Sequence, residues 1–395
     1  MTKKNISYLL FVIALGYIIS PWFFEKNLLF NEILSAAGLA ILYYRRFKIA
    51  NDPITLCMIG LLCWSAFQML VSLLRMDSLY YYLRNLVISY SMLTYFIGFY
   101  CLLYLPAFIR KIRGWLRWYI GLFLFIPVSR FLFERFGEAM LFPALFRKPL
   151  RRWVPWSLIV MNLIYGITYS SLTAWILAAF YLLLFISPGY AFFKQSVLLI
   201  CGVFLIVFIC FIPDLSLIAN RFSPYTFNGI SDVMHSSRFL SIDPNSTWRL
   251  ILWKQVLVDH FPLNLIGIGF GTPMFKYFPI EDYSKLSTLP YVLGAHNSYV
   301  YLFGRLGLPY VLCMVGAYLY LFKEYFYHKA YYYANKQILL FWSFFAATVI
   351  ALFNPALESP IYAGAYWLLL GFTARAIYNR NHPMINTPHE DSLHP

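Results

Sequence analysis

The chain has 395 residues, of which 61% are hydrophobic and only 12% are charged, and its formal net charge is +15. A soluble protein carries about 25% charged residues, so this composition excludes a water-soluble globular domain and indicates a membrane protein. The positive charge does not indicate nucleic-acid binding. The basic residues stand in short clusters between apolar runs, where they set membrane topology.

The first part of the chain contains several apolar runs close to the roughly 20 residues that cross a membrane as a helix. They predict crossings over residues 6–23, 28–44, 54–74 and 86–109. Basic clusters at 45–48 and 110–113 fall on the same side as Lys3 and Lys4, which the positive-inside rule makes cytoplasmic. Residues 114–146 are apolar but interrupted by charges, and they predict two short or tilted crossings.

The second part predicts six further crossings on either side of a long polar stretch. Three cover residues 154–168, 172–187 and 196–212, and three cover 297–322, 337–353 and 363–378. The fold class is therefore an all-α polytopic membrane protein with about twelve transmembrane helices and cytoplasmic termini. Its predicted parts are the first nine helices (1–212), an outer loop (213–295), the last three helices (296–378) and a cytoplasmic tail (379–395).

The outer loop contains a predicted helix of about three turns that Asn245, Ser246 and Thr247 would cap and Pro262 would stop. Arg249 lies near its start and has two interpretations. Its side chain reaches lipid head groups, or its planar guanidinium binds a diphosphate together with the free amides of the helix start. Trp248 is a candidate for stacking on a sugar or for anchoring at the interface.

Two other features of the outer region are candidates for chemistry. Gly269 and Gly271, in Gly267-Ile268-Gly269-Phe270-Gly271, form either a phosphate cradle or a plain turn. His296 is either a hydrogen-bonded interfacial histidine or a general base, because an imidazole pKa near 6.5 suits proton transfer. Asn297 is placed to orient His296 or a sugar hydroxyl. His235 and His260, which lie in the same outer loop, are less favoured candidates for the general base.

The outer loops show no pair of aspartates with metal-binding spacing. The sequence therefore predicts a site that uses neither a metal ion nor another cofactor.

Together these residues resemble the superfamily of bacterial inner-membrane O-antigen ligases and O-antigen polymerases. His296-Asn297, nine intervening residues, Gly307, two more and Tyr310 reproduce a histidine pattern of the ligases. Arg249, followed by Pro262 and the glycine-rich stretch, is similar to the loop arginine of the family. The resemblance covers most of the chain and implies a GT-C-like fold with short helices in a periplasmic loop.

The resemblance also implies an activity: inverting, metal-independent glycosyl transfer at the periplasmic face of the bacterial inner membrane. The donor would be a glycan on undecaprenyl diphosphate. Arg249 would hold the diphosphate, and His296 would take the proton from the attacking sugar hydroxyl. The expected partners are this donor, membrane lipid and a regulator of chain length, with no nucleic acid.

The chain departs from the family at Leu172, where the family carries an arginine. Four residues are candidates to replace it: Arg84, Arg221, Arg238 and Arg305. The loss counts more against a ligase, so a polymerase of O-antigen, capsule or exopolysaccharide repeat units is favoured, and a ligase acting on lipid A core is the alternative. A third hypothesis is a transporter of lipid-linked glycan, in which Arg130, Glu134 and Glu138 would line a polar path.

Overall fold

A computed structural model describes residues 28–44, 49–101, 153–169, 172–221, 244–275, 294–335 and 337–382. Within these ranges the chain is predominantly helical and contains no strand. The helices are α1 (Leu28–Tyr44), α2 (Pro53–Leu73), α3 (Leu79–Asn85), α4 (Val87–Ser91), α5 (Thr94–Cys101), α6 (Trp153–Tyr169), α7 (Leu172–Ile186), α8 (Tyr190–Arg221), α9 (Pro244–Lys254), α10 (Ser298–Ala334), α11 (Ile338–Phe353) and α12 (Pro360–Asn381). A π-helical segment, Gln255–Asp259, and a 3-10 turn, Leu263–Leu265, follow α9.

Three helices of the described part are long and apolar enough to cross a membrane: α2, the Tyr190–Cys210 part of α8, and α10. Most of that part of α8 is exposed, so its apolar side chains are left for lipid. These helices agree with the prediction of a helical membrane protein. The count of about twelve crossings stays a prediction, and the crossings at 6–23 and 114–146 lie outside the described residues.

The ends of α1, α2, α6, α7, α11 and α12 agree with the predicted crossings to within a few residues, whereas α8 begins earlier, at Tyr190, and α10 continues further, to Ala334. The predicted crossing at 86–109 is divided between α4 and α5 in its described part, and α3 precedes it. Helix α8 continues through Pro213 to Arg221, whereas its part that is apolar enough to cross a membrane ends at Cys210, close to the end of the crossing predicted at 196–212. A proline removes one amide donor, and membrane helices tolerate that loss. Helix α9 begins at Pro244, so the predicted capping residues lie inside it.

Close backbone contact joins α5 to α12. A β-carbon on Gly98 would meet the carbonyl oxygen of Leu368, and one on Gly371 would meet that of Tyr95. Small residues permit such approach between helices in lipid, where packing rather than burial from water drives association. Above this contact Thr94 donates a hydrogen bond to the Gly364 carbonyl at 2.8 Å, so the two helices are also joined by a polar contact.

Helix α10 is broken at Gly307, whose φ of 79° lies in the left-handed region. Pro309 follows two residues later and has no amide hydrogen to donate to the carbonyl of Arg305. That carbonyl instead accepts from the Gly269 amide at 3.0 Å, and the Gly304 carbonyl accepts from the Ile268 amide at 2.8 Å. The break is therefore closed by the segment that follows the 3-10 turn.

The close α5–α12 contact predicts that Gly98→Ala or Gly371→Ala destabilises the protein. Each added methyl would overlap backbone, and overpacking of this kind costs about 1–3 kcal/mol. Gly316→Ala is the matched control, since nothing lies within 4 Å of its β-carbon position. Thermal unfolding in detergent measures the effect. Equal melting temperatures for the three variants would contradict the prediction.

Candidate functional site

Helix α9 presents two functional side chains one turn apart, Arg249 and Trp253. Residues four apart lie on the same face of a helix. The Trp253 indole donates to the Ala295 carbonyl at 2.8 Å, and an Arg249 terminal nitrogen donates to the Phe353 carbonyl at 3.3 Å. Ile251 and Leu252 are fully buried. The helix is thereby fixed against both the segment that precedes α10 and the end of α11.

The structure places Arg249 near enough to His296 for the charge of its guanidinium to act on the imidazole. His296 directly follows Ala295, which Trp253 holds, and it is partly buried. Burial, together with the positive charge of Arg249, lowers the pKa of His296 from 6.5 to about 4. The imidazole is therefore neutral at physiological pH, and it stands beside a cation suited to phosphate.

His296 also has an unusual backbone conformation, with φ at 51°. Left-handed backbone in a residue other than glycine costs on the order of 1–3 kcal/mol and is found most often where function requires it. Asn297 follows and caps α10, because its side-chain oxygen accepts from the amides of Tyr299 and Val300 at 3.0 and 3.1 Å. Asn297 therefore fixes the start of α10, directly after the histidine. Its predicted role in orienting His296 or a sugar hydroxyl stays a prediction.

Ser298, the first residue of α10, links that helix to the turn between α11 and α12. Its hydroxyl oxygen accepts from the amides of Ala356 and Leu357 at 2.9 and 3.0 Å. The hydroxyl donates to Glu358 Oε2 at 2.5 Å and lies 3.1 Å from the Asn354 carbonyl. The serine therefore joins the histidine segment and the turn that contains Glu358 through one side-chain atom.

Glu358 belongs to the site, although the sequence analysis did not single it out. Burial raises the pKa of its carboxyl from 4.5 to about 7, and hydrogen bonding from Ser298 and from the backbone amides of Glu358 and Leu357 opposes this shift. A signal was present in the sequence, since Glu358 is the only acidic residue between Glu324 and Glu390 and stands in a predicted outer turn. A carboxylate surrounded by apolar sequence in such a turn is a candidate for function.

The predicted phosphate cradle has another use in this structure. The amides of Ile268 and Gly269 bond to α10, the Phe270 amide donates to Ser72 Oγ at 2.8 Å, and the Gly271 amide donates to Asn85 at 3.1 Å. All four donors are engaged by protein, so Gly269 and Gly271 form the turn that the sequence offered as the second interpretation.

Arg305 is placed with this turn and not with Arg249. Its guanidinium donates to the carbonyls of Gly269 and Thr272 at 3.0 and 2.5 Å and stacks on Tyr301 at 5.3 Å from the ring centre. The side chain is 5% exposed. Its contacts therefore hold the glycine turn against α10.

The other predicted residues are distributed as follows. Arg84 is exposed on α3, Arg221 ends α8, Trp248 lies in α9 beside Arg249, and His260 contacts the Met274 carbonyl at 2.6 Å. Leu172 begins α7, and its neighbour Thr173 accepts a hydrogen bond from the Asn354 side-chain amide at 3.5 Å, so the start of α7 lies near the turn after α11. Outside the described residues lie Arg238, His235, Arg130, Glu134 and Glu138.

The described part of the chain has no group of three or more His, Cys, Asp or Glu side chains arranged to hold a metal ion. Comparison with protein-family models, with curated proteins and with solved structures finds no match to this chain. The candidate site therefore consists of a guanidinium, a neutral imidazole and a buried carboxyl, positioned by α9, α10 and the turn after α11.

The lowered pKa of His296 predicts a pH-dependent difference in stability. Between about 4 and 6.5 the unfolded chain binds a proton at this residue that the folded chain does not, so folding stability is lost as the pH falls through this range. His296→Asn removes the effect and keeps a side chain that tolerates left-handed backbone. Relative to the native protein, the variant should therefore gain stability as the pH is lowered.

Melting temperatures measured across this pH range in detergent test the prediction. Lys323→Gln, which removes an exposed charge toward the other end of α10, is the control. A difference between native protein and His296→Asn that stays constant with pH would contradict a neutral, buried imidazole.

Proposed function

We propose that this protein is a membrane glycosyltransferase that transfers a glycan from a polyprenyl diphosphate carrier, of the undecaprenyl type in a bacterial inner membrane. The observation that carries the proposal is that Arg249 lies near enough to His296 for its charge to lower the pKa of the imidazole, in a chain with helices apolar enough to cross a membrane. A diphosphate needs a planar cationic donor, and a sugar hydroxyl needs a proton acceptor. Arg249 would contact the diphosphate that leaves, and His296 would contact the hydroxyl that attacks.

The charge distribution supports a reaction on the outer side of the membrane. Lys194 lies at the start of α8, Lys323 and Lys329 in the second half of α10, and Arg380 at the end of α12. The site lies at the opposite ends of α10 and α12. Because positive residues collect on the cytoplasmic side, the site is assigned to the periplasmic side, with both termini in the cytoplasm.

In the proposed reaction the acceptor hydroxyl attacks the anomeric carbon while the diphosphate leaves from the opposite face, so the configuration inverts. Arg249 stabilises the negative charge that develops on the diphosphate, a form of catalysis that commonly contributes the largest share of a rate. His296, being neutral, accepts a hydrogen bond from the acceptor hydroxyl, which orients it and favours the loss of its proton. Neither step draws on a metal ion.

The acceptor class distinguishes a polymerase from a ligase. We favour a polymerase, which adds repeat units to a growing chain on the same carrier, because Leu172 replaces the arginine that the ligase pattern carries. A ligase, which moves the finished chain to lipid A core, shares the donor and the site. Exposed Arg84 on α3, Arg221 at the end of α8 and Arg238 in the outer loop remain the candidates for a second phosphate contact.

Arg249→Lys is predicted to lower the rate of transfer about 10²-fold, because lysine keeps the charge but lacks the two-pronged donor. The assay uses purified protein in lipid nanodiscs with an undecaprenyl-diphosphate oligosaccharide, and product is separated by gel. Lys323→Gln is the control for loss of a positive charge and should retain full activity. Native-like transfer by Arg249→Lys would rule out diphosphate binding by this residue.

Deletion of the gene separates polymerase from ligase. Without a polymerase, single repeat units accumulate on lipid A core, whereas without a ligase long chains stay on the carrier diphosphate. Lipid extracts analysed by gel and mass spectrometry show which species is present. We expect single repeats, and stranded long chains would favour the ligase.

A further inference from the structure

Glu358 has one carboxyl oxygen engaged and one free of hydrogen bonds. Oε2 accepts from Ser298, whereas Oε1 is buried and has no hydrogen-bond partner among the described residues. Oε1 is directed toward Gly294, whose β-carbon position lies 3.4 Å away. Gly294 precedes His296 by two residues, so this oxygen faces the segment that carries the imidazole.

The structural partners of this carboxyl are the Ser298 hydroxyl and the nearby backbone amides of Leu357 and Glu358, whereas Oε1 has no hydrogen-bond partner among the described residues. The Ser298 oxygen already accepts two amide hydrogen bonds, and it needs one acceptor for its own proton, which Oε2 supplies. A buried acceptor without a partner costs free energy, and a carboxylate costs more than an amide. Glutamine would accept from Ser298 equally well, so what a carboxylate adds at this position is an oxygen, Oε1, that is available to a donor brought by a ligand.

Resting on the function proposed above, we propose that Glu358 accepts the proton of the attacking sugar hydroxyl through Oε1. The acceptor oxygen bonds to the anomeric carbon as its proton passes to Oε1. The bond from that carbon to the diphosphate oxygen breaks, and its electron pair leaves with the diphosphate, which Arg249 holds. His296 orients the hydroxyl by a hydrogen bond, and the carrier diphosphate and the acceptor glycan are the two reactants.

The acidities of the two groups favour this division of roles. A general base works best when its pKa lies near the working pH. His296, with a pKa of about 4, is a weak base, whereas Glu358, with a pKa of about 7, is well matched. The charged or titratable side chains on the described segments at this corner include Arg249 of α9, His296 before α10, Tyr299 of α10 and Tyr362 of α12, and Tyr299 in turn interacts with Tyr318 and Tyr366.

The pH dependence of transfer distinguishes the two bases. Glu358 is ionised above a pH of about 7, so a rate that depends on it rises with pH through that value. A rate that depended on His296 alone would rise near 4 and be flat around neutrality. Native protein is therefore expected to lose activity as the pH is lowered from about 8 to about 6, in proportion to protonation of one group.

The test compares native protein with Glu358→Gln and Glu358→Asp, in nanodiscs with the undecaprenyl-diphosphate oligosaccharide, across this pH range. Glu358→Gln keeps an acceptor for Ser298 and should lower the rate at least about 10²-fold and abolish the rise near neutrality. Glu358→Asp should retain measurable transfer with the rise preserved. Glu324→Gln, whose side chain contacts Arg380 and Tyr332 toward the other end of α10, is the matched control.

Two results would overturn the inference. Glu358→Gln with native rate and native pH profile would show that Glu358 only anchors Ser298, while leaving the proposed function intact. Native protein that never consumes the lipid-linked donor, although folded by its melting curve, would remove the proposed function and the inference together. Equal losses in Glu358→Gln and Glu324→Gln would attribute the effect to folding and also contradict the assignment.

Discussion

The break in α10 is the constraint on which the arrangement of the site depends. A helix interrupted by Gly307 and Pro309 leaves backbone carbonyls without their helical donors, and in an apolar environment such groups must find partners within the protein. The amides of Ile268 and Gly269 supply two, and the Trp64 indole donates to the Leu306 carbonyl at 2.6 Å. The break in one helix is thus stabilised by a segment that arrives from α9.

The same contacts fix the position of α9 relative to the start of α10. Positive φ at Gly267 and Gly307 lets the two backbones approach, since a β-carbon at Gly307 would lie 2.7 Å from the Leu265 carbonyl. Arg305 secures the turn from inside. These contacts fix the segment that follows α9. On α9 itself, Trp253 contacts the segment before α10 and Arg249 contacts the end of α11, so the helix lies where the histidine segment and the turn after α11 meet. The positions of glycine, proline and histidine in the sequence motif are therefore explained mainly by the backbone conformations that the chain adopts there.

Sequence reasoning succeeded where one physical signal dominates. Apolar length located α1, α2, α6, α7, α11 and α12 closely, and side-chain chemistry selected Arg249 and His296, which the structure places together. It did not distinguish packing from phosphate binding at Gly269, Gly271 or Arg305. A glycine turn and an arginine look the same in a sequence whichever of these two roles they have. Glu358 was missed because its importance depends on Ser298, which lies 60 residues away in the chain.

The hydroxyl of Ser298 has a consequence for how this site can be studied. One oxygen atom contacts the turn residues Ala356 and Leu357 and, through its proton, Glu358, while the backbone of the same residue continues from the histidine segment. Replacing any one of these groups will shift the others, so single substitutions will report sums of coupled effects. Their energies will not add, and only double-mutant cycles through Ser298 can apportion the contributions of imidazole and carboxyl.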